Sequence, residues 1–165
     1  MLSLPIAAIP LIVIALVFGF LNGKNDSANV VGPLISTHAL GFRSALLVAA
    51  LAEGTGPFLF GVAVAKTIGS GVVAPEAITL PVIYAALLAA VCWNMVTLLL
   101  GIPSSASHAL VGGLIGAGLI GYGPDAVLAH GVITVVLALL LSPLLGLIAG
   151  FLAIRLLSFL ARGAS

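Results

Sequence analysis

From Leu80 to Leu100 the chain runs without a single formal charge. About 20 apolar residues is the length a helix needs to cross the ~30 Å hydrocarbon core of a bilayer. Other apolar runs accompany it: Leu4 to Leu21, Ser44 to Ala65, and a final stretch that ends near Leu160. Only nine of the 165 residues are charged, five Lys/Arg and four Asp/Glu, and 62% are hydrophobic. A soluble domain of this size carries charge on about a quarter of its residues. A water-soluble enzyme, a nucleic-acid binder and a disordered chain are therefore excluded, and an all-α polytopic membrane protein is expected, with residues 1–165 as one transmembrane domain.

The remaining totals add little. The net charge of +1 offers no electrostatic footprint for a nucleic acid. Cys92 is the single cysteine, so no internal disulfide can form. Met1 to Pro5 contains no Lys or Arg side chain. A secretory signal peptide has a basic start, so the first span is expected to be retained.

Two interruptions organise the chain. Asn22-Gly23-Lys24-Asn25-Asp26-Ser27-Ala28-Asn29 separates the first span from Val30–Leu40, which is too short to cross alone. Gly101-Ile102-Pro103-Ser104-Ser105-Ala106-Ser107-His108 separates the Leu80–Leu100 span from a short run, Ala109 to Ile120. The second span is broken by Glu53-Gly54-Thr55-Gly56-Pro57, and the last one either tilts as one helix or breaks at Pro143. Irregular backbone at membrane depth costs several kcal/mol per unpaired group, roughly, unless it lines a protein-enclosed cavity. About four full spans with two short re-entrant or broken-helix segments are expected, and such segments mark transporter binding sites.

The polar segments carry the candidate chemistry. Ionisable residues inside a membrane are expensive and read as functional. The Asp26 carboxylate can coordinate a cation or accept hydrogen bonds from a protonated oxyanion. Asn22, Asn25 and Asn29 supply amide donors and carbonyl acceptors. On a helix Asn25 and Asn29 share a face, as do Asn22 and Asp26. The second segment reads as a helix start, with Pro suited to the first turn and Ser to the cap. A helix N-terminus attracts anions, and Ser104, Ser105, Ser107 and His108 exceed what a cap requires.

Glu53, mid-span, must face protein or a cavity, as a coupling carboxylate or in an ion pair. Lys66 can snorkel to the interface. His38 suits a helix end, and His130 a loop or the interface. Asn94, beside Trp93, suits an interhelical hydrogen bond. Small residues at four-residue spacing, Gly112/Gly116 and Ser142/Gly146/Gly150, let helices approach closely. The echo between Thr37-His38-Ala39-Leu40 and Ser107-His108-Ala109-Leu110 is too short to count as a repeat. His38, His108 and His130 lie far apart with no Cys or carboxylate at metal-ligand spacing. Neither a catalytic triad nor a phosphate-cradling nucleotide loop is present, so no enzymatic activity and no cofactor are expected.

In its two polar segments the chain resembles the PiT family of inorganic phosphate transporters. Gly23-Lys24-Asn25-Asp26-Ser27-Ala28-Asn29 is similar to the family's Gly-x-Asn/His-Asp-x-Ala-Asn, and Gly101 to Gly113 to its Gly-x-Pro-x-Ser-x-Ser/Thr-His motif. The likeness extends to Ala65–Gly71, Trp93-Asn94 and Ser142–Gly146. It implies symport of phosphate with Na⁺ or H⁺ by two inverted repeats, of which this chain would supply one. It assigns Asn25, Asp26, Asn29, Ser104, Ser105 and Ser107 to phosphate, and Asn22, Asp26, Glu53 and Asn94 to the coupling ion, with Na⁺ admissible at Asp26. Lys24 departs from the pattern and, like His108, becomes a candidate contact for substrate or counter-ion.

A one-repeat chain implies a partner, either a second copy (an antiparallel homodimer) or another half-size subunit. The scattered Arg43, Lys66, Arg155 and Arg162 impose little orientation bias. A prokaryotic inner membrane is the expected location. Transport of another oxyanion such as sulfate, and an accessory role without transport, stay open at this point.

Overall fold

The computed structural model describes residues 8–60, 69 and 71–162. Helix α1 spans Ala8–Ser36, α2 Phe42–Phe60, α3 Leu80–Leu100, α4 Ala106–Tyr122 and α5 Ala129–Ala161. Short 3-10 turns, Pro75–Ala77 and Pro124–Ala126, lead into α3 and α5. Among the described residues the only extended pairing is an isolated antiparallel bridge between Val73 and Val127. The fold is all-helical, as the apolar runs require. Residues Leu4 to Ala7 of the first span, its basic-free start, the end of the second span at Ala65, and Lys66 lie outside the described residues.

Among the described residues three helices, α1, α3 and α5, are long and apolar enough to cross a membrane. Helix α4 is apolar but has only 17 residues, about 26 Å at 1.5 Å per residue. Helix α5 runs unbroken through Pro143 for 33 residues, about 50 Å. The alternative of two pieces is thereby settled in favour of one helix.

Two expected breaks are absent. Asn22–Asn29 does not interrupt the first span, because α1 continues through it for 29 residues, with Pro33 inside. Val30–Leu40 is accordingly no separate short segment. Asn, Asp, Ser and Lys lower helix propensity by only tenths of a kcal/mol each, about, and polarity alone breaks no helix. Likewise Glu53–Pro57 stays helical in α2; a proline there removes one backbone donor but falls within the last turn. The end of α1 is set instead by His38, at φ 56, whose N–H donates to the Ile35 carbonyl at 3.0 Å.

Helices α3 and α4 form an antiparallel hairpin. The buried stripe of α3, Val82, Ala86, Ala90, Asn94 and Thr97, recurs at helical spacing, and its Val82 and Ala86 share the core with Val111 and Leu114 of α4. A Cβ at Gly113 would sit 2.6 Å from the Ala86 carbonyl oxygen, so glycine sets the interhelical distance. The apolar core lies where α3 begins and α4 ends. It joins Val72, Val73, Ala77, Val82, Ala86, Val111, Leu114, Ala126 and Val135. There the Leu128 N–H donates to the Val72 carbonyl at 2.9 Å and the Ala74 N–H to the Ala126 carbonyl at 2.8 Å. Gly131 passes the Gly71 carbonyl so closely that a Cβ would overlap it. Helix α1 packs on α2 and on the other end of α3, which leaves the polar residues away from the core. Most of α5 beyond Val135 is exposed, an apolar surface for lipid or for another protein unit.

Candidate functional site

The connection from α3 to α4 is built by its sequence. Gly101 takes the left-handed conformation (φ 65, ψ 27) that ends α3. Its N–H donates to the Leu98 carbonyl at 3.3 Å, and the Ile102 N–H to the Thr97 carbonyl at 2.9 Å. This paired arrangement satisfies the last carbonyls of the helix and needs glycine at the left-handed position. Ser105 then caps α4, its hydroxyl accepting from the His108 N–H at 3.4 Å.

Against this connection lies the polar face of α1. Lys24, Asn25, Ala28 and Asn29 share one face and, with Thr97, Leu98, Gly101, Ile102 and Pro103, enclose a cleft of about 310 Å³. The Asn25 side-chain amide donates to the Asn94 carbonyl at 3.5 Å, and the Thr97 hydroxyl donates to the same carbonyl at 3.1 Å. The Asn94 side chain is 1% exposed, and neither its amide nitrogen nor its oxygen has a hydrogen-bond partner. The Asn22 side-chain oxygen is also buried without a partner. An unpaired buried polar group costs about 1–3 kcal/mol. Packing alone does not explain two such side chains, although neither belongs to the cleft lining itself.

The expected interhelical hydrogen bond at Asn94 exists, but its main-chain carbonyl makes it and the side chain does not. Thr97 escaped notice in the sequence; its only signal is a hydroxyl three residues after Asn94 in an apolar span.

The other candidates are placed apart. Asp26 is partly buried on α1, next to Asn25 but outside the cleft lining. Ser104 accepts a hydrogen bond from the Trp93 indole Nε1 at 2.9 Å. Ser105 serves the cap, and Ser107 is exposed. His108 borders a second, apolar groove of about 620 Å³ between α3 and α4, together with Trp93, Ala89 and Gly112. Glu53 was expected to face protein or a cavity. In this structure it is exposed on α2, a helix whose main packing partner among the described residues is α1 and whose one buried residue there is Ala45. The cleft thus unites Asn25 and Asn29 with the α3–α4 connection, while Asn22, Asp26, Asn94, the three serines, His108 and Glu53 stand outside its lining.

Oxygen donors suit a hard cation, and the amide oxygens of Asn22 and Asn94 and the Asp26 carboxylate are donors of that class. Among the described residues no group of three His, Cys, Asp or Glu side chains could hold a metal ion.

Comparison with known proteins places this geometry in a family. Residues 22–164 match the model of the phosphate transporter family. A probable low-affinity inorganic phosphate transporter of Rhizobium meliloti (strain 1021) is 41% identical over 150 residues, covering 91% of this chain and 45% of that protein. A protein of the same description from Streptomyces halstedii is 46% identical over 144 residues, covering 86% of this chain and 66% of its own length. Among solved structures, that of a protein described as "The sodium-dependent phosphate transporter" superposes with a TM-score of 0.78 at 32% identity, over 89% of this chain and 38% of that chain. The chain belongs to the phosphate transporter family, as its two polar segments led us to expect. It is an integral membrane protein, and its relatives are transporters, not enzymes. It spans about half the length of the first relative and less of the solved neighbour.

Proposed function

We propose that this chain moves inorganic phosphate across a membrane by symport with Na⁺ or H⁺, as one half of a transporter completed by a second unit. The observation that carries this reading is the cleft in which Asn25 and Asn29 of one family motif meet Gly101, Ile102 and Pro103 of the other, with the buried, unpartnered Asn94 side chain three residues before Thr97 of its lining. Phosphate transport is supported by the family match. Sodium coupling is supported by the likeness to a sodium-dependent phosphate transporter. The prokaryotic inner membrane as location is supported by the bacterial relatives.

In this reading α1, α2, α3 and α5 cross the bilayer and α4 is the shorter apolar segment beyond the Gly101 turn. The unit corresponds to one of two inverted repeats. Its partner is a second copy, antiparallel in the simplest case, or another half-size subunit. The coverage of under half of the Rhizobium protein and the exposure of Glu53 support a partner, because a bare carboxylate facing lipid is costly.

Phosphate is held by Asn25, Asp26 and Asn29, and by Ser104, Ser105 and Ser107 once the two units close. Asn22, Asp26, Glu53 and Asn94 hold the coupling ion. An ion beside Asp26 lowers the electrostatic cost of admitting the phosphate charge. Coupling follows if the fully loaded and the empty carrier reorient faster than the partly loaded one. Alternating access then works about a site near the bilayer midplane.

Uptake of labelled phosphate by proteoliposomes containing only this chain, with sulfate as competitor, tests the reading. Saturable phosphate uptake that a tenfold excess of sulfate leaves intact is expected. A phosphate at neutral pH retains a proton to donate to Asp26, and sulfate does not. Equal competition by sulfate would overturn phosphate as the substrate.

A further inference from the structure

We propose that the Lys24 ammonium is a resident counter-charge of the α1–α3 cleft. It contacts the oxygens of the tetrahedral oxyanion and takes over part of the charge compensation that a co-transported cation would otherwise supply. The inference rests on the reading of the chain as a phosphate transporter.

Lys24 lies two residues past the midpoint of α1, which runs Ala8–Ser36, about 3 Å along the axis. A lysine at a helix end reaches the interface, but one at mid-span must face a cavity or a partner. Here a cavity is provided. Lys24 lines the cleft with Asn25, Asn29 and Thr97, and among the described residues of that lining it alone bears a formal charge. Its carbonyl accepts from the Ser27 hydroxyl at 3.3 Å. The other groups are neutral amides and a hydroxyl, which can orient an oxyanion but cannot balance its charge. A lysine binds phosphate as a point charge with three rotatable donors. A fixed cation in the cleft is present whether or not Na⁺ arrives, so the anion's affinity depends less steeply on the ion.

Two measurements on the purified full-length chain test this. The first is acylation of amines with and without millimolar inorganic phosphate, read peptide by peptide, with Lys66 as internal reference. Phosphate is expected to slow acylation of Lys24 severalfold and to leave Lys66 unchanged. The second is equilibrium dialysis of labelled phosphate in choline and in sodium buffers. Wild type is expected to bind in choline. Lys24→Gln is expected to bind about 10-fold or more weakly there, the loss of one charge-assisted contact, and to recover partly in sodium. Lys24→Arg keeps the charge and is expected to stay within about threefold of wild type.

Phosphate binding with unprotected Lys24, or with Lys24→Gln equal to wild type, would overturn the inference and leave the transport reading standing. No phosphate binding by wild type in either buffer would overturn both.

Discussion

The side-chain amide of Asn25 reaches the main-chain carbonyl of Asn94, 69 residues away in sequence, at 3.5 Å. Thr97 donates to that same oxygen. The polar face of α1 is thereby fixed to α3 through backbone, which leaves the Asn94 amide buried and unspent.

Because both hydrogen bonds use the main chain, Asn94→Leu keeps them and removes only an unpaired amide. A purely structural Asn94 would be replaced at no loss, since burying an unsatisfied amide costs about 1–3 kcal/mol. We expect Asn94→Leu to melt at or above the wild-type temperature in detergent and to lose phosphate uptake at least about 10-fold, the equivalent of 1.4 kcal/mol. Wild-type uptake by a stable Asn94→Leu would remove Asn94 from the site.

The α3–α4 hairpin offers a matched pair of glycines. Gly113→Ala drives a Cβ to 2.6 Å from the Ala86 carbonyl oxygen, whereas at Gly112 nothing lies within 4 Å. Overpacking against backbone costs about 1–3 kcal/mol, while alanine in open space on a helix gains up to about 1 kcal/mol over glycine. Thermal unfolding should therefore fall for Gly113→Ala and hold or rise for Gly112→Ala. Equal melting temperatures would mean that the hairpin is looser than this packing requires.

Ser105 caps α4 and is also a proposed phosphate contact, and two substitutions separate the roles. Ser105→Ala removes the cap and should cost about 1 kcal/mol of stability; Ser105→Asn is as good a cap and should cost almost nothing. If the hydroxyl touches phosphate, uptake falls in both variants. Uptake restored by Ser105→Asn would reduce Ser105 to a cap.

How much of this was legible before folding differs by element. Helix α3 could be read directly, because an uncharged run from Leu80 to Leu100 has one physical solution in a bilayer. The start of α4 could be read too, since Pro103 and the serines carry their capping preference locally. The continuity of α1 could not. Its polar residues are tolerated because Asn25 turns toward α3 and meets the Asn94 carbonyl, a contact that no local pattern encodes. The same gap separated the two motifs into their parts. Asn25, Asn29 and the Gly101 turn converge on one cleft, while Trp93 holds Ser104 and the cap holds Ser105. Those attachments depend on where α3 ends relative to α4, set by Gly101 and by the close approach at Gly113. Thr37–Leu40 and Ser107–Leu110, alike in sequence, fall past the end of one helix and in the first turn of another, so the echo has no structural counterpart.

The proposed function, in its simplest form, is ion-coupled phosphate transport through the Asp26 region by paired copies of this chain. The most direct test is the initial rate of labelled-phosphate uptake by proteoliposomes of the purified chain, wild type against Asp26→Asn, under an imposed inward Na⁺ gradient and, separately, an imposed pH gradient. The account predicts uptake by wild type driven by one of the two gradients and its loss in Asp26→Asn. Undiminished uptake by Asp26→Asn, or no gradient-driven uptake by folded, inserted wild type, would contradict it.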